Sequence, residues 1–285
     1  MKKLICASLC LLAAASVFGA ECRKNTNAYV APTERGVPWL LKNNLTNYVV
    51  TYRYTNPSPT QAGEVLLGMP MPVNVTGFSR KNFTSLVING IDSRVLEPKK
   101  FEPFNNGQEA GVDVYYNFDG IPMIQRFWVS DSSPLLNMTW RRGPGTPFQP
   151  IRSMSVRIVA LPCAAGRAKG SYSREIVTPA AKYVSKGRSR RQKEQKLTAR
   201  DTVLILQDAK YQSGPQSTNT APVVLCPDWK GILSGTASFG SSQEVYLFFE
   251  LKPDAESWSF GFLDSEVRRS NADFMAFLKK VGVIR

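Results

Sequence analysis

The sequence contains no histidine, and this absence excludes more chemistry than any other feature of its composition. Without an imidazole the chain cannot build a Ser-His-Asp triad or a Cys-His nucleophile pair. The usual histidine-containing zinc sites and the iron site of two histidines and a carboxylate are excluded as well. No glycine-rich phosphate loop or dinucleotide-binding motif is present either, so we expect no metal or other cofactor.

Cysteine is scarce, which limits both zinc binding and disulfide formation. Cys6 and Cys10 lie in an N-terminal apolar segment, and the rest of the chain holds Cys22, Cys163 and Cys226. Three thiolates fall short of an all-cysteine zinc site. They allow one disulfide, and we favour Cys163–Cys226 because each of these two cysteines lies beside a proline at the end of a predicted strand. The alternative is that all three thiols are free and buried.

No apolar run is long enough to form a transmembrane helix. The short run Leu4–Val17 follows Lys2 and Lys3 and ends near Ala20. A positively charged start, an apolar stretch and small residues at the cleavage site, in this order, are typical of a bacterial secretory signal peptide. We predict that residues 1–20 are removed and that the mature protein is secreted or periplasmic.

Acidic residues are outnumbered by basic ones, with 22 Asp and Glu against 36 Lys and Arg and a formal net charge of +14. Loss of the signal peptide removes only Lys2 and Lys3 from this surplus. A basic surplus favours anionic partners, here an acidic glycan or an anionic cell surface. We expect no nucleic acid partner, because no DNA- or RNA-binding motif is present.

One dense charge run, residues 186–196, has the sequence KGRSRRQKEQK and is named here the basic segment. Unpaired charges are costly to bury, so this run is predicted to be an exposed loop inserted between two strands. Its candidate ligand-binding residues are Arg188, Arg190, Arg191 and Lys193. The hypothesis is an arm that binds anions, and the alternative is a solvated insertion without a partner.

Helical periodicity is rare, and the one clear helix is C-terminal, with Ser270 as its cap and an apolar face that begins at Phe274. Elsewhere at least ten short alternating segments are separated by turn residues. This pattern predicts an all-β fold, a large two-sheet antiparallel β-sandwich with a short C-terminal helix. We expect a single domain over residues 21–285, with residues 21–46 and Pro98–Gln108 irregular.

The strongest strand signal is Gly111–Trp140, which reads as a three-stranded meander. Asp119-Gly120 between two alternating runs predicts a two-residue type I′ turn, because both central positions need positive φ. Phe118 then faces Ile121, and this pairing fixes the register of the whole hairpin.

The outer face of this meander gathers polar and aromatic side chains suited to a sugar ring, namely Tyr115, Arg126, Trp128 and Asn137. They are the candidate ligand-binding residues outside the basic segment. The alternative is structural: Asp113 opposite Arg126 makes an ordinary cross-strand charge pair, and Trp128 covers the gap at Gly111.

The sequence Asp119-Gly120-Ile121-Pro122, with the alternating strand after it and the strand-rich tail, is similar to β-supersandwich domains. Such domains occur beside carbohydrate-active enzymes and in mutarotase-like proteins. The resemblance covers roughly residues 60–263 as a pattern. It implies a sandwich fold and a carbohydrate context, but no catalytic residues, because the mutarotase family relies on histidine.

Together these features favour a secreted, non-catalytic β-sandwich that binds a glycan or another anionic surface ligand. One alternative is a structural or adhesive protein of the cell envelope. Another is a histidine-free polysaccharide lyase or glycosidase that uses a tyrosine or a carboxylate pair.

Overall fold

The computed structural model describes residues 29–32, 37–42, 47–53, 64–68, 83–162, 173–185, 194–209, 222–240, 244–264 and 270–284. These residues form nineteen strands and one α-helix: β1 Tyr29–Pro32, β2 Val37–Lys42, β3 Asn47–Arg53, β4 Glu64–Gly68, β5 Thr84–Ile88, β6 Ile91–Asp92, β7 Lys100–Asn105, β8 Glu109–Phe118, β9 Ile121–Ser130, β10 Leu136–Arg142, β11 Met154–Ala160, β12 Arg174–Val177, β13 Lys182–Val184, β14 Gln195–Leu197, β15 Leu204–Asp208, β16 Val223–Pro227, β17 Ile232–Phe239, β18 Val245–Leu251, β19 Ser257–Asp264 and α1 Asn271–Lys280.

Two antiparallel sheets confirm the predicted sandwich. The nine-stranded sheet has the order β13-β12-β15-β16-β19-β10-β9-β8-β7, and the six-stranded sheet has the order β14-β17-β18-β11-β5-β6. A further four-stranded sheet, β1-β2-β3-β4, contributes Leu41, Tyr48 and Val50 to the same hydrophobic core. The Tyr48 hydroxyl donates to the carbonyl of Phe262 at 3.4 Å, which joins this sheet to β19.

The central hairpin has the predicted register. Phe118 pairs with Ile121, Asp113 with Arg126 and Gly111 with Trp128. Asp119 and Gly120 both have positive φ, at 50° and 84°, as a type I′ turn requires. Every second side chain of β8 and β9 therefore lies in the core, and the others form the outer face of the nine-stranded sheet.

Aromatic side chains fill the core between the two sheets. The ring of Phe249 on β18 lies 5.2 Å from that of Phe260 on β19, centroid to centroid. Phe83, just before β5, contacts Phe262 edge-on at 5.4 Å. Tilted and edge-on ring pairs of this kind add to the energy of apolar burial.

The helix α1 covers one half of the outer face of the nine-stranded sheet. Phe274 and Leu278 pack on Ile205, Val224 and Leu263, which belong to β15, β16 and β19. Ser270 caps the helix as predicted, with its hydroxyl accepting from the backbone N–H of Asp273 at 3.1 Å. The outer face of β7 to β10 lies beyond this helix-covered half.

Two segments predicted to be irregular are strands, so those predictions were wrong. β1 and β2 lie within residues 21–46 and pair with each other and with β3. β7 lies within Pro98–Gln108 and pairs with β8. Pro103 is tolerated there because β7 is an edge strand, where a missing N–H costs no ladder bond.

The basic segment ends earlier than predicted, because Gln195 and Lys196 belong to β14. Residues 186–193 lie outside the described residues, as does the predicted signal peptide. The signal peptide and the single-domain organisation stay predictions.

Candidate functional site

The part of the outer face of the nine-stranded sheet that α1 does not cover is named here the open face. Its residues come from the outward positions of four neighbouring strands: Lys100, Glu102, Phe104, Asp113, Tyr115, Arg126, Trp128, Asn137, Thr139 and Arg141. The antiparallel register aligns them in rows across the strands. One such row runs Glu102, Asp113, Arg126, Thr139 and then Ser259 of β19.

Asp113 lies at the centre of the open face and binds two arginines. Its carboxylate accepts from Nε of Arg126 at 2.6 Å and from Nη2 of Arg126 at 2.7 Å, a bidentate pair. Nη2 of Arg141 donates to the same carboxylate at 3.0 Å. Asp113 is 4% exposed, whereas the side chains of Arg126 and Arg141 are 28% and 37% exposed. One buried carboxylate thus holds two partly exposed cations.

A phenylalanine on the edge strand fixes the orientation of Arg126. The guanidinium carbon lies 4.0 Å from the ring centroid of Phe104, within cation–π range. Phe104 reaches this place because Gly111 opposite has no side chain; a Cβ there would lie 2.8 Å from the Phe104 ring. The bond to Asp113 raises the pKa of Arg126 further above its ordinary value.

A second polar cluster lies next to the first. The Tyr115 hydroxyl donates to Oε2 of Glu102 at 2.6 Å, and Nζ of Lys100 lies 3.1 Å from Oε1 of the same carboxylate. The hydrogen bond from Tyr115 lowers the pKa of Glu102, and the same bond raises the pKa of Tyr115. Both shifts favour the ionised carboxylate and the protonated phenol.

The far side of the open face is less charged. Trp128 is half-buried beside Gly111, and Asn137 lies opposite it on β10. The Thr139 and Ser259 hydroxyls lie 3.0 Å apart. This side offers an indole and neutral hydrogen-bonding groups next to the charged centre.

The four candidate residues of the hairpin, Tyr115, Arg126, Trp128 and Asn137, do share one face, as predicted. The structural alternative is confirmed for Arg126, which is paired with Asp113. The ligand-binding roles of all four stay predictions. Arg188, Arg190, Arg191 and Lys193 lie outside the described residues.

Arg141, Glu102 and Phe104 belong to the open face but were missed by sequence reasoning. Arg141 continues the outward alternation of Asn137 and Thr139. A predicted strand that ran past Trp140, as β10 does, would have included it. Glu102 and Phe104 alternate on β7, a strand interrupted by Pro103 and read as a loop.

The predicted disulfide stays a prediction, because Cys163 lies outside the described residues. Cys226 is the only cysteine in the part of the chain that the structure describes. Burial raises the pKa of its thiol to about 12. As a free thiol it would be unreactive at neutral pH.

The pKa shifts of Tyr115 and Glu102 run opposite to those that the alternative lyase or glycosidase would need at these two groups. A tyrosine that removes a proton needs a pKa lowered toward the working pH, whereas that of Tyr115 is raised. A carboxylic acid that protonates a leaving group needs a raised pKa, whereas that of Glu102 is lowered.

The described residues show neither a metal-binding cluster nor a membrane-spanning helix. Within the described ranges, no three His, Cys, Asp or Glu side chains cluster in a way that could hold a metal ion. None of the helices in those ranges is long and apolar enough to cross a membrane.

No family model matches the chain, and no curated protein sequence matches it. The fold is similar to that of several solved structures, of which three follow. The alpha-N-acetylgalactosaminidase NagBb of Bifidobacterium bifidum is 8% identical with a TM-score of 0.47, over 91% of this chain and 39% of that one. A TPR-domain containing protein of Parabacteroides distasonis is 10% identical with a TM-score of 0.48, over 82% and 48%. The GH36 alpha-galactosidase AgaB of Geobacillus stearothermophilus is 9% identical with a TM-score of 0.45, over 84% and 41%.

This chain spans less than half the length of each of these three proteins. At such identities and TM-scores, the likeness assigns no function to the chain. What the three proteins do is a property of those proteins alone.

Proposed function

We propose that this protein is a secreted, non-catalytic β-sandwich that binds an acidic glycan through its open face. The observation that carries the proposal is the Arg126–Asp113–Arg141 cluster on a sheet surface that α1 does not cover. Export is supported by the signal-peptide pattern of residues 1–20.

The cluster supports anion binding because Asp113 satisfies only part of two guanidinium groups. Each guanidinium has five N–H donors, and only three of the ten donors are bonded to Asp113. Arg141, the more exposed arginine, contributes only one N–H to Asp113. A carboxylate or sulfate can therefore bind Arg141 while Asp113 holds the side chain in place.

The rest of the open face supports a sugar as the carrier of that anion. Sugar hydroxyls donate and accept, and this face offers Glu102 as an acceptor and Asn137 as both donor and acceptor. Another acidic residue near Arg126 is Glu109, which is half-buried at the start of β8. Its charge helps to raise the pKa of Arg126. The face is thus mixed in charge, which suits a hydroxyl-rich anion better than a simple one.

A glycan array that carries acidic and neutral saccharides tests this proposal. We expect the mature protein to bind uronic-acid or sulfated glycans, and the variant Arg141→Gln to bind them more weakly. Absence of any glycan signal would favour the structural envelope protein instead. Release of unsaturated or reducing-end products from these glycans would show that the protein is an enzyme.

A further inference from the structure

The six-stranded sheet has an exposed outer face of its own, separate from the open face. We name it the second face and define it by outward residues of β11, β17 and β18: Ser155, Arg157, Ser234, Thr236, Ser238, Tyr246, Phe248 and Glu250. Register places Thr236, Phe248 and Arg157 side by side across the three strands. Lys196 of β14 continues this row beyond Thr236.

Arg157 has no anionic partner on this face among the residues that the structure describes. Its Nε is shielded from solvent and donates no hydrogen bond there. Its guanidinium carbon lies 5.1 Å from the ring centroid of Tyr246, so the side chain lies against an aromatic ring and not a carboxylate. Glu250, the acidic residue of the second face, accepts instead from the Ser234 hydroxyl at 2.7 Å.

Phe248 adds an aromatic surface next to this cation. It is 39% exposed, which is high for a phenylalanine in the middle of a strand. Its neighbours in the row are Arg157 on one side and the Thr236 hydroxyl on the other. An aromatic ring beside a guanidinium and hydroxyls matches a sugar ring that carries an anionic group, since the ring face stacks and the anion is paired.

We propose that the second face binds an acidic saccharide, with Phe248 stacking on the sugar ring and Arg157 binding its carboxylate or sulfate. The charge of the row supports this occupant, because Arg157 and Lys196 are cations and the row contains no carboxylate. The ligand class rests on the proposed function, but the residues are distinct from those of the open face. The chain then presents two sites for one class of ligand.

Titration calorimetry of the whole mature chain tests the proposal, with hexasaccharides of polygalacturonate and of chondroitin sulfate as probes. We expect two molecules bound per chain, and one in each of the variants Arg157→Met and Phe248→Ala. The methionine keeps the length and apolar stem of Arg157 while removing its charge. The matched controls are Arg152→Met and Phe148→Ala, which change an exposed arginine and a 93% exposed phenylalanine elsewhere. Both controls should bind as the parent does.

Hydrogen exchange of the complex places the sites independently of the variants. We expect the probe to protect β17 and β18 in the parent, and this protection to be lost in Phe248→Ala. Because Phe248 is partly exposed, its truncation should leave the thermal transition unchanged, so the test does not depend on Arg157→Met folding.

Four outcomes would overturn the inference, and they separate it from the proposed function. If one probe molecule binds per chain and only Arg141→Gln abolishes that binding, the open face is the single site. Unchanged binding in both second-face variants would have the same meaning. A dimer that Phe248→Ala dissociates would show that a second copy covers this face. Failure of both probes to bind would overturn both proposals. A different result would overturn only the open-face site: complete loss of binding in the second-face variants, with binding unchanged in Arg141→Gln.

Discussion

Asp113 is the residue on which the open face depends, because its carboxylate accepts hydrogen bonds from two arginines. Removal of the charge leaves Arg126 and Arg141 close together without their shared anion. We expect Asp113→Asn to lower the free energy of unfolding by about 1–3 kcal/mol, less than a fully buried pair because both arginines reach solvent. Urea denaturation measures this change. The exposed Asp254→Asn serves as the control, and a matching small effect in both variants would contradict the central role of Asp113.

The bond between Tyr115 and Glu102 makes a prediction about pH. Glu102 has a lowered pKa, so its contribution to stability is present above the ordinary value of 4.5 and is lost as pH falls through the lowered pKa. Tyr115 has a raised pKa, so its contribution is present below 10.0 and is lost as pH rises through the raised pKa. Ultraviolet difference titration, with Tyr115→Phe to identify the signal, should show Tyr115 ionising above its ordinary pKa.

In Glu102→Gln the pKa of Tyr115 should fall back toward 10.0, because the hydrogen bond to the Glu102 carboxylate is the largest cause of the raised pKa. An unchanged titration in this variant would mean that the hydrogen bond does not form in solution.

The predicted disulfide also belongs to the residue scale. If Cys163 and Cys226 are bridged, non-reducing peptide mapping of the exported protein should recover them as one linked species. A free Cys226 would contradict this prediction. With its pKa raised to about 12, that free thiol should react with alkylating reagents only after unfolding.

At the scale of elements, two turns of the same conformation form a matched pair. Asn89-Gly90 and Asp119-Gly120 have closely similar φ angles, with 85° and 84° at the glycines. A Cβ at Gly90 meets nothing within 4 Å, whereas at Gly120 it would lie 2.9 Å from the Phe148 ring. The backbone N–H of Phe148 also donates to the Gly120 carbonyl at 3.2 Å, which joins this loop to the turn.

We expect Gly90→Ala to cost about 1–2 kcal/mol of unfolding free energy, from positive φ alone. Gly120→Ala should cost more, since it must also displace the Phe148 ring. The double variant Gly120→Ala with Phe148→Ala should return to the cost of Gly90→Ala. Equal costs for the two single variants would show that the Phe148 loop does not rest on the turn.

The elements that the sequence predicts well are those whose signals are local. The hairpin register follows from Asp119-Gly120 and alternation, and the cap of α1 follows from Ser270 with an apolar face after it. β7 is different, because its strand state comes from pairing with β8 and its own sequence contains Pro103. Arg141 was missed for a related reason, since β10 is extended by pairing with both β9 and β19. The shared carboxylate at Asp113 follows only once these pairings are known.

At the scale of the whole molecule, the basic segment connects the two sheets. It follows β13 at one edge of the nine-stranded sheet and precedes β14 at one edge of the six-stranded sheet. The Tyr183 hydroxyl donates to the Lys196 carbonyl at 3.5 Å, so the two ends of the connection lie close together. A substitution within residues 186–193 should therefore leave both sheets in place.

We expect neutralisation of Arg188, Arg190, Arg191 and Lys193 to weaken binding to a heparin column and to reduce its salt dependence. The thermal stability of this variant should change by no more than about 1 kcal/mol in unfolding free energy, as for surface substitutions. Unchanged elution would remove the anion-binding role of the segment. A large loss of stability would show that the segment is packed against the sandwich.

The most direct test of the glycan-binding proposal is the affinity of the mature protein for an acidic hexasaccharide, measured by titration calorimetry in Arg141→Gln and in Arg152→Gln. Both variants lose one arginine charge. Of the two arginines replaced, Arg141 contacts Asp113 on the open face, whereas Arg152 lies elsewhere. If the open face binds the anion, the open-face affinity falls by about tenfold or more in Arg141→Gln, or about 1.4 kcal/mol, and stays at the parent value in Arg152→Gln. Equal affinities in the two variants would contradict the proposal, because any binding would then reflect net charge and not the open face.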